Sequence, residues 1–188
     1  LVDSSMLCDV PIRLQRGGAA SHDDPVHPIR VEPVEDGFRI PFPGQPQVQN
    51  TTYTSQYGYT LPSRVFSVTS GPQRFSVTVV DYRGIQQQAI ATHCPCAPRD
   101  ITAIIGEGEW RNDVRGAMVN ALNTFFKRGT RITSITADVQ DFIDGMILQG
   151  VNADGSRTSA SISMHDNRLY IVEGDAPATG YPPPVAFI

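Results

Sequence analysis

The chain is short of several things at once, and each shortage closes off a class of protein. It has a single lysine, Lys127, against fourteen arginines, and its acidic residues outnumber its basic ones by 19 to 15, for a net charge of -4. A polyanion binder carries a basic stripe and a high pI, so nucleic acid is not an expected partner. No apolar run approaches the ~20 residues needed to cross a bilayer; the longest, such as Ile101 to Ile105, are strand-sized. The sequence contains no Gly-x-Ser-x-Gly elbow, no His-Glu-x-x-His and no P-loop. It also lacks Cys-x-x-Cys and Cys-x-x-Cys-His, which would mark a redox centre or a haem attachment. Glu107 and Glu109 are two carboxylates close in sequence, but nothing around them resembles the facing pair of a glycosidase. They are expected to favour a helix N-terminus instead. No enzyme and no cofactor are expected.

What is present suits one domain. The chain has 188 residues, of which 40% are hydrophobic and 18% charged. That is enough to bury a core beneath a lightly charged surface. The scarcity of lysine and the abundance of Thr, Ser, Gln and Pro point to a periplasmic or secreted protein. The chain starts at Leu1, which fits removal of a signal peptide or a start inside a longer chain.

Three cysteines, Cys8, Cys94 and Cys96, leave one thiol over in an oxidising compartment. The expected disulfide joins Cys8 to Cys94 or Cys96. Closing so long a loop stabilises by roughly 4–5 kcal/mol on a chain-entropy basis. His93 beside Cys94 and Cys96 also suits a soft ion such as Cu(I). The spacing is not that of structural zinc, which favours Cys-x2-4-Cys. No metal is expected, and these three residues are the weak candidates for one.

Residues 1–36 differ from the rest. Arg13 to Asp36 mixes glycines, prolines, histidines and charges with no sustained period of 2 or 3.6. Such a segment buries too little apolar area to fold alone. It is expected to be an extended arm that becomes ordered by docking. His22, Asp23, Asp24 and His27 form a polar cluster in it, and Tyr181, Pro182 and Pro183 begin a proline run near the C-terminus. These seven are the expected partner-binding residues.

From Gly37 the patterning is regular. Gly37 to Gly44 alternates and then turns, as an edge strand interrupted by prolines does. Val48 to Thr60 has strand composition broken at Gly58. Arg64–Ser70 and Phe75–Tyr82 flank Gly71-Pro72 as a hairpin, with Phe75, Val77 and Val79 on one face. Gln86 to Asp100 shows no clear period, and His93-Cys94-Pro95-Cys96-Ala97-Pro98 within it reads as a loop. Trp110 to Lys127 is the one strong helix, with Val114, Met118, Ala121, Leu122 and Phe125 on one stripe. Asn112 or Asp113 is its expected N-cap, and Gly129 its C-cap. Four strands follow, over 131–140, 145–152, 157–164 and 168–173, separated by turns at Asn152–Gly155 and His165–Asn167. The expected class is α+β: an antiparallel sheet with one long helix packed on it, preceded by the extended arm.

Three stretches resemble a known family. Gly37-Phe38-Arg39-Ile40-Pro41-Phe42-Pro43-Gly44-Gln45-Pro46 is similar to the opening of PsbP-like domains, a group that includes periplasmic proteins of the DcrB type. Phe75 to Tyr82 is similar to the strand that follows, and Asn167 to Gly174 to the late strand before a terminal helix. The resemblance spans residues 37–188, and the arm and the Cys-Pro-Cys element depart from it. It implies a PsbP-like fold and a non-enzymatic accessory role. The expected function is therefore a non-catalytic subunit of an exported, membrane-associated complex, binding a larger protein subunit. One concrete form is the small subunit of a quinone-dependent alcohol dehydrogenase, an oxidoreductase complex. The alternatives are a free periplasmic module for a small ligand and a thiol- or metal-binding protein.

Overall fold

A computed structural model describes residues 28–93, 99–140 and 142–180; the side chains of His93 and of residues 99–107 lie outside that description. Nine strands and two helices run in the order β1 (Ile29–Val31), β2 (Ile40–Phe42), β3 (Gln47–Thr54), β4 (Thr60–Ser70), β5 (Gln73–Asp81), α1 (Ile85–His93), α2 (Arg99–Lys127), β6 (Arg131–Gln140), β7 (Ile143–Val151), β8 (Arg157–His165) and β9 (Arg168–Ala176). Strands β3 to β9 form one seven-stranded sheet in the order β3-β4-β5-β9-β8-β7-β6, while β1 and β2 pair separately. Every pairing is antiparallel.

The period of 2 decides which side chains face where. Phe66, Val77, Val79 and Tyr170 are buried on one face; Leu61, Val80, Leu148, Ala160, Ile162 and Leu169 are buried with the helix residues on the other. A sheet apolar on both faces must be covered twice. Ala117, Ala121 and Phe125 of α2, with Ile85 and Ala89 of α1, complete the cluster on the helix side. On the opposite side the β1–β2 hairpin contributes Phe42, 2% exposed, together with Val31, Phe38 and Ile40. Burying a side chain the size of Phe42 stabilises by about 2 kcal/mol.

Strands β5 to β9 fall close to where the alternation places them, but the stretch Val48 to Thr60 is not one strand, since β3 ends at Thr54 and β4 already begins at Thr60. Strands β8 and β9 meet through Asp166 (φ 49°) and Asn167 (φ 53°), the paired left-handed residues of a tight hairpin. Three expectations need correction. The undecided stretch after Gln86 holds α1 over Ile85–His93, so the described residues have two helices where one was expected, and the expected loop at 94–98 lies outside the described residues. The long helix starts at Arg99, so Asn112 and Asp113 lie in its interior and neither caps it. Glu109 lies well inside the helix as well, away from its N-terminus. At the other end Gly129 (φ 84°) closes the helix as expected, with its N–H donating to the Phe126 carbonyl at 3.0 Å.

Residues 28–36 of the expected arm fold back on the chain's own sheet. Ile29 faces Phe42 and Val31 faces Ile40 across the small ladder. The boundary read between 36 and 37 thus falls in the turn of a hairpin. Among the described residues no helix is long and apolar enough to cross a membrane.

Candidate functional site

The β1–β2 hairpin covers only part of its face of the sheet, and the uncovered part is a groove of about 660 Å³. Its roof comes from the hairpin, chiefly Glu32, Phe38, Arg39 and Ile40. Its floor and far wall come from Asp138 and Gln140 of β6, Gly145 of β7, Ser161, Ser163 and His165 of β8, and Tyr170 of β9.

The floor is open because its residues are small. Ala160 and Ile162 point to the helices, so Ser161 and Ser163 point into the groove. Gly145 stands opposite Ser163 in the ladder. A Cβ at Gly145 would lie 2.9 Å from the Ile162 carbonyl oxygen. The strand can pass there only without a side chain.

The roof is held by a set of polar contacts at the hairpin turn. The N–H groups of Asp36 and Gly37 both donate to the Pro33 carbonyl at 3.1 Å. Gly37 adopts φ 69°, and a Cβ on it would come within 3.2 Å of the Tyr170 hydroxyl. That hydroxyl donates to the Asp36 carbonyl at 2.9 Å, a buried bond. An Arg168 guanidinium nitrogen donates to the Glu35 carbonyl at 3.2 Å. Arg64 pairs with Asp36 at 2.7 Å and also with Glu35. Phe38 meets the edge of Phe66, with ring centroids 5.0 Å apart.

Burial sets the electrostatics of this turn. It pushes the Asp36 carboxyl above its ordinary value, against the pull of Arg64. It raises the Tyr170 phenol in the same way. Glu32 goes the other way: it is hydrogen-bonded by Arg39, which holds its carboxyl low. The groove therefore presents a neutralised Glu32–Arg39 pair on one side and the half-buried Asp138 with the exposed His165 on the other.

His165 Nε2 faces Asp166 at 3.4 Å. Among the described residues no hydrogen bond links His165 to Ser163. Among the described residues no group of three His, Cys, Asp or Glu side chains is placed to hold a metal.

The site residues expected from sequence are not among those the structure describes. Cys8, Cys94, Cys96, His22, Asp23, Asp24, His27, Tyr181, Pro182 and Pro183 fall outside the described residues, as does the His93 side chain. The groove residues were not anticipated. Their one visible signal is the run Ser159, Ser161, Ser163, alternating with Ala160 and Ile162 in a strand buried on both faces.

These features define an α+β domain with an open antiparallel sheet, helices on one face and a hairpin-roofed groove on the other. No family model matches the chain, and no curated protein does. Among solved structures it is similar to cyanobacterial PsbP (CyanoP) from Synechocystis, at 13% identity over 85% of this chain and 86% of that one, with a TM-score of 0.44. It is also similar to PA94 of Pseudomonas aeruginosa, a protein of unknown function, at 10% identity over 85% of this chain and 99% of that one, with a TM-score of 0.34.

Proposed function

We propose that the chain is a non-catalytic subunit of an exported protein complex and that it seats an extended segment of a larger partner in the groove under the β1–β2 hairpin. The supporting observation is the convergence of side chains from five strands and the hairpin turn on one open trough, with no coupled acid, base or nucleophile among them. A groove open to solvent and lined from several strands can take an extended chain. Small floor residues leave room for side chains, and Ser161, Ser163 and Asp138 offer hydrogen-bonding groups to a backbone. An exported, PsbP-like or DcrB-type accessory role fits this behaviour, and a quinone-dependent alcohol dehydrogenase assembly is one candidate for the larger partner.

A second reading is a periplasmic module for a small ligand. It is favoured by the groove's volume of about 660 Å³, which lies within the range of small-molecule sites.

The test is affinity purification from the native source in mild detergent, with wild type and with Ser163→Arg. The arginine fills the floor from a half-buried position without entering either core. A co-purifying protein that is lost with Ser163→Arg supports the partner reading. The same proteins captured by both chains sink it. A thermal shift of the isolated wild type with a ligand panel, abolished by the same substitution, would favour the small ligand.

A further inference from the structure

Strand β6 is the last strand of the seven-stranded sheet, and among the described residues its outer edge pairs with nothing. An unpaired edge is a template for another strand, and proteins usually blunt it with lysine, proline or inward charges. Strand β6 (Arg-Ile-Thr-Ser-Ile-Thr-Ala-Asp-Val-Gln) has no lysine or proline, its only charge after Arg131 is Asp138, and its bulge lies at one end, between Ile132 and Ser134, leaving Ser134 to Gln140 regular. Its apolar side chains are also uncovered. Ile135 is 47% exposed, Val139 62%, and Phe142 in the following turn is fully exposed. Phe142 adopts φ 65°, a left-handed conformation that is rare for a bulky residue. The chain thus holds an aromatic ring at the tip of the β6–β7 turn with no packing of its own to justify it. The opposite edge, β3, is different, being built mostly of Gln, Asn and Thr.

We propose that β6 pairs antiparallel with β6 of a second copy of this chain, joining two seven-stranded sheets across a two-fold axis. The sequence of the strand supports a self-pairing. Both copies must keep their helices on the same side, so odd residues face odd and even face even. With the axis at Ala137, Ile135 lies opposite Val139 of the second copy, and Ala137 lies opposite itself. Thr136 then faces Asp138, Ser134 faces Gln140, and no like charges meet. The residues that pair in this way, Ser134 to Gln140, are the regular part of the strand, beyond the bulge between Ile132 and Ser134. Centring on Ile135 instead runs the ladder into the bulge between Ile132 and Ser134 and leaves Val139 without a regular partner. The two-fold axis also places the two groove floors side by side, since Asp138 lines each of them.

Sedimentation velocity of the whole chain tests this. Wild type, with a protomer of 20.5 kDa, is expected to sediment as a dimer at high micromolar concentration. Ala137→Lys sets two ammonium groups face to face at the axis. It changes an exposed position and leaves the circular dichroism spectrum alone. It is expected to weaken dimerisation by roughly tenfold or more. Ala137→Cys gives the register: mild oxidation is expected to produce a 137–137 disulfide, identified by peptide mass spectrometry. A wild type that stays at the protomer mass overturns the proposal. So does a dimer indifferent to Ala137→Lys, or one that forms without the 137–137 link.

Discussion

Asp113, in the middle of α2, accepts a hydrogen bond from the backbone N–H of Gln56 at 3.1 Å, tying the long helix to the β3–β4 turn. The same carboxylate accepts from the Tyr57 N–H at 3.4 Å and from the Ser55 hydroxyl. Asp113 is fully buried, and so is the Ser55 hydroxyl, so neither has water to fall back on if this bond is lost. Asp113→Ala orphans all three and is expected to cost about 3 kcal/mol. Asp113→Asn keeps one carbonyl acceptor and is expected to cost about half as much. Urea denaturation checks both. A loss below about 0.5 kcal/mol for the alanine variant would contradict the role given to this residue.

Two glycines are predicted to respond in opposite directions. A Cβ on Gly116 of α2 meets only the tip of the flexible Gln56 side chain, which can swing away. Removing a glycine from a helix interior then adds up to about 1 kcal/mol of stability. A Cβ on Gly145 meets the Ile162 carbonyl, which belongs to the sheet backbone and cannot move freely. Gly145→Ala is expected to cost about 1–3 kcal/mol, in the manner of other overpacked sites. Thermal melts of the two variants should shift to opposite sides of wild type.

The hairpin roof depends on Tyr170. Tyr170→Phe removes the buried bond to the Asp36 carbonyl and leaves that oxygen unpaired. The expected loss is about 1–2 kcal/mol, felt mainly by the hairpin. Hydrogen exchange should rise across residues 29–42 while the β5–β9 ladder keeps its protection. Uniform exchange across the sheet would mean that the hairpin and the sheet unfold together.

Asp36 makes a prediction about pH. Its folded-state carboxyl is raised by burial above the unfolded value. Its protonated form is therefore the better fit to the fold. The stability it contributes is complete below the unfolded value and is lost as pH rises through the folded one. Asp36→Asn mimics the protonated form, so it should be at least as stable as wild type at neutral pH. The difference should vanish in acid, where wild type is protonated too. Denaturant midpoints at both pH values check this. A variant weaker than wild type at neutral pH would show that the Arg64 pairing outweighs the cost of burial.

The elements that the sequence reveals are those whose own residues alternate over a long enough stretch. Strands β4, β5, β8 and β9 announce themselves because each has nine or more residues with alternating or nearly continuous burial. The stripe from Val114 to Phe125 is legible for the same reason at period 3.6. Helix α1 is not: its buried contact rests on Ile85 and Ala89 with three glutamines between them. Strand β1 is only three residues long among prolines, and it exists because Phe42 and Val31 have a sheet to cover. Asp113 looks like a helix cap because it precedes the apolar stripe, and only the folded chain brings the β3–β4 turn to it. The groove was the least visible feature. Glu32, Asp138, Ser163 and Tyr170 are far apart in sequence, and they meet only through the strand order β5-β9-β8-β7-β6.

The most direct test of partner binding in the groove is hydrogen exchange with mass spectrometry, comparing the chain alone with the chain in its native complex. The expected result is added protection confined to the hairpin and the groove floor, over residues 29–42, 138–145 and 161–165. Protection confined to the helix face, with the groove exchanging as it does in the free chain, would contradict it.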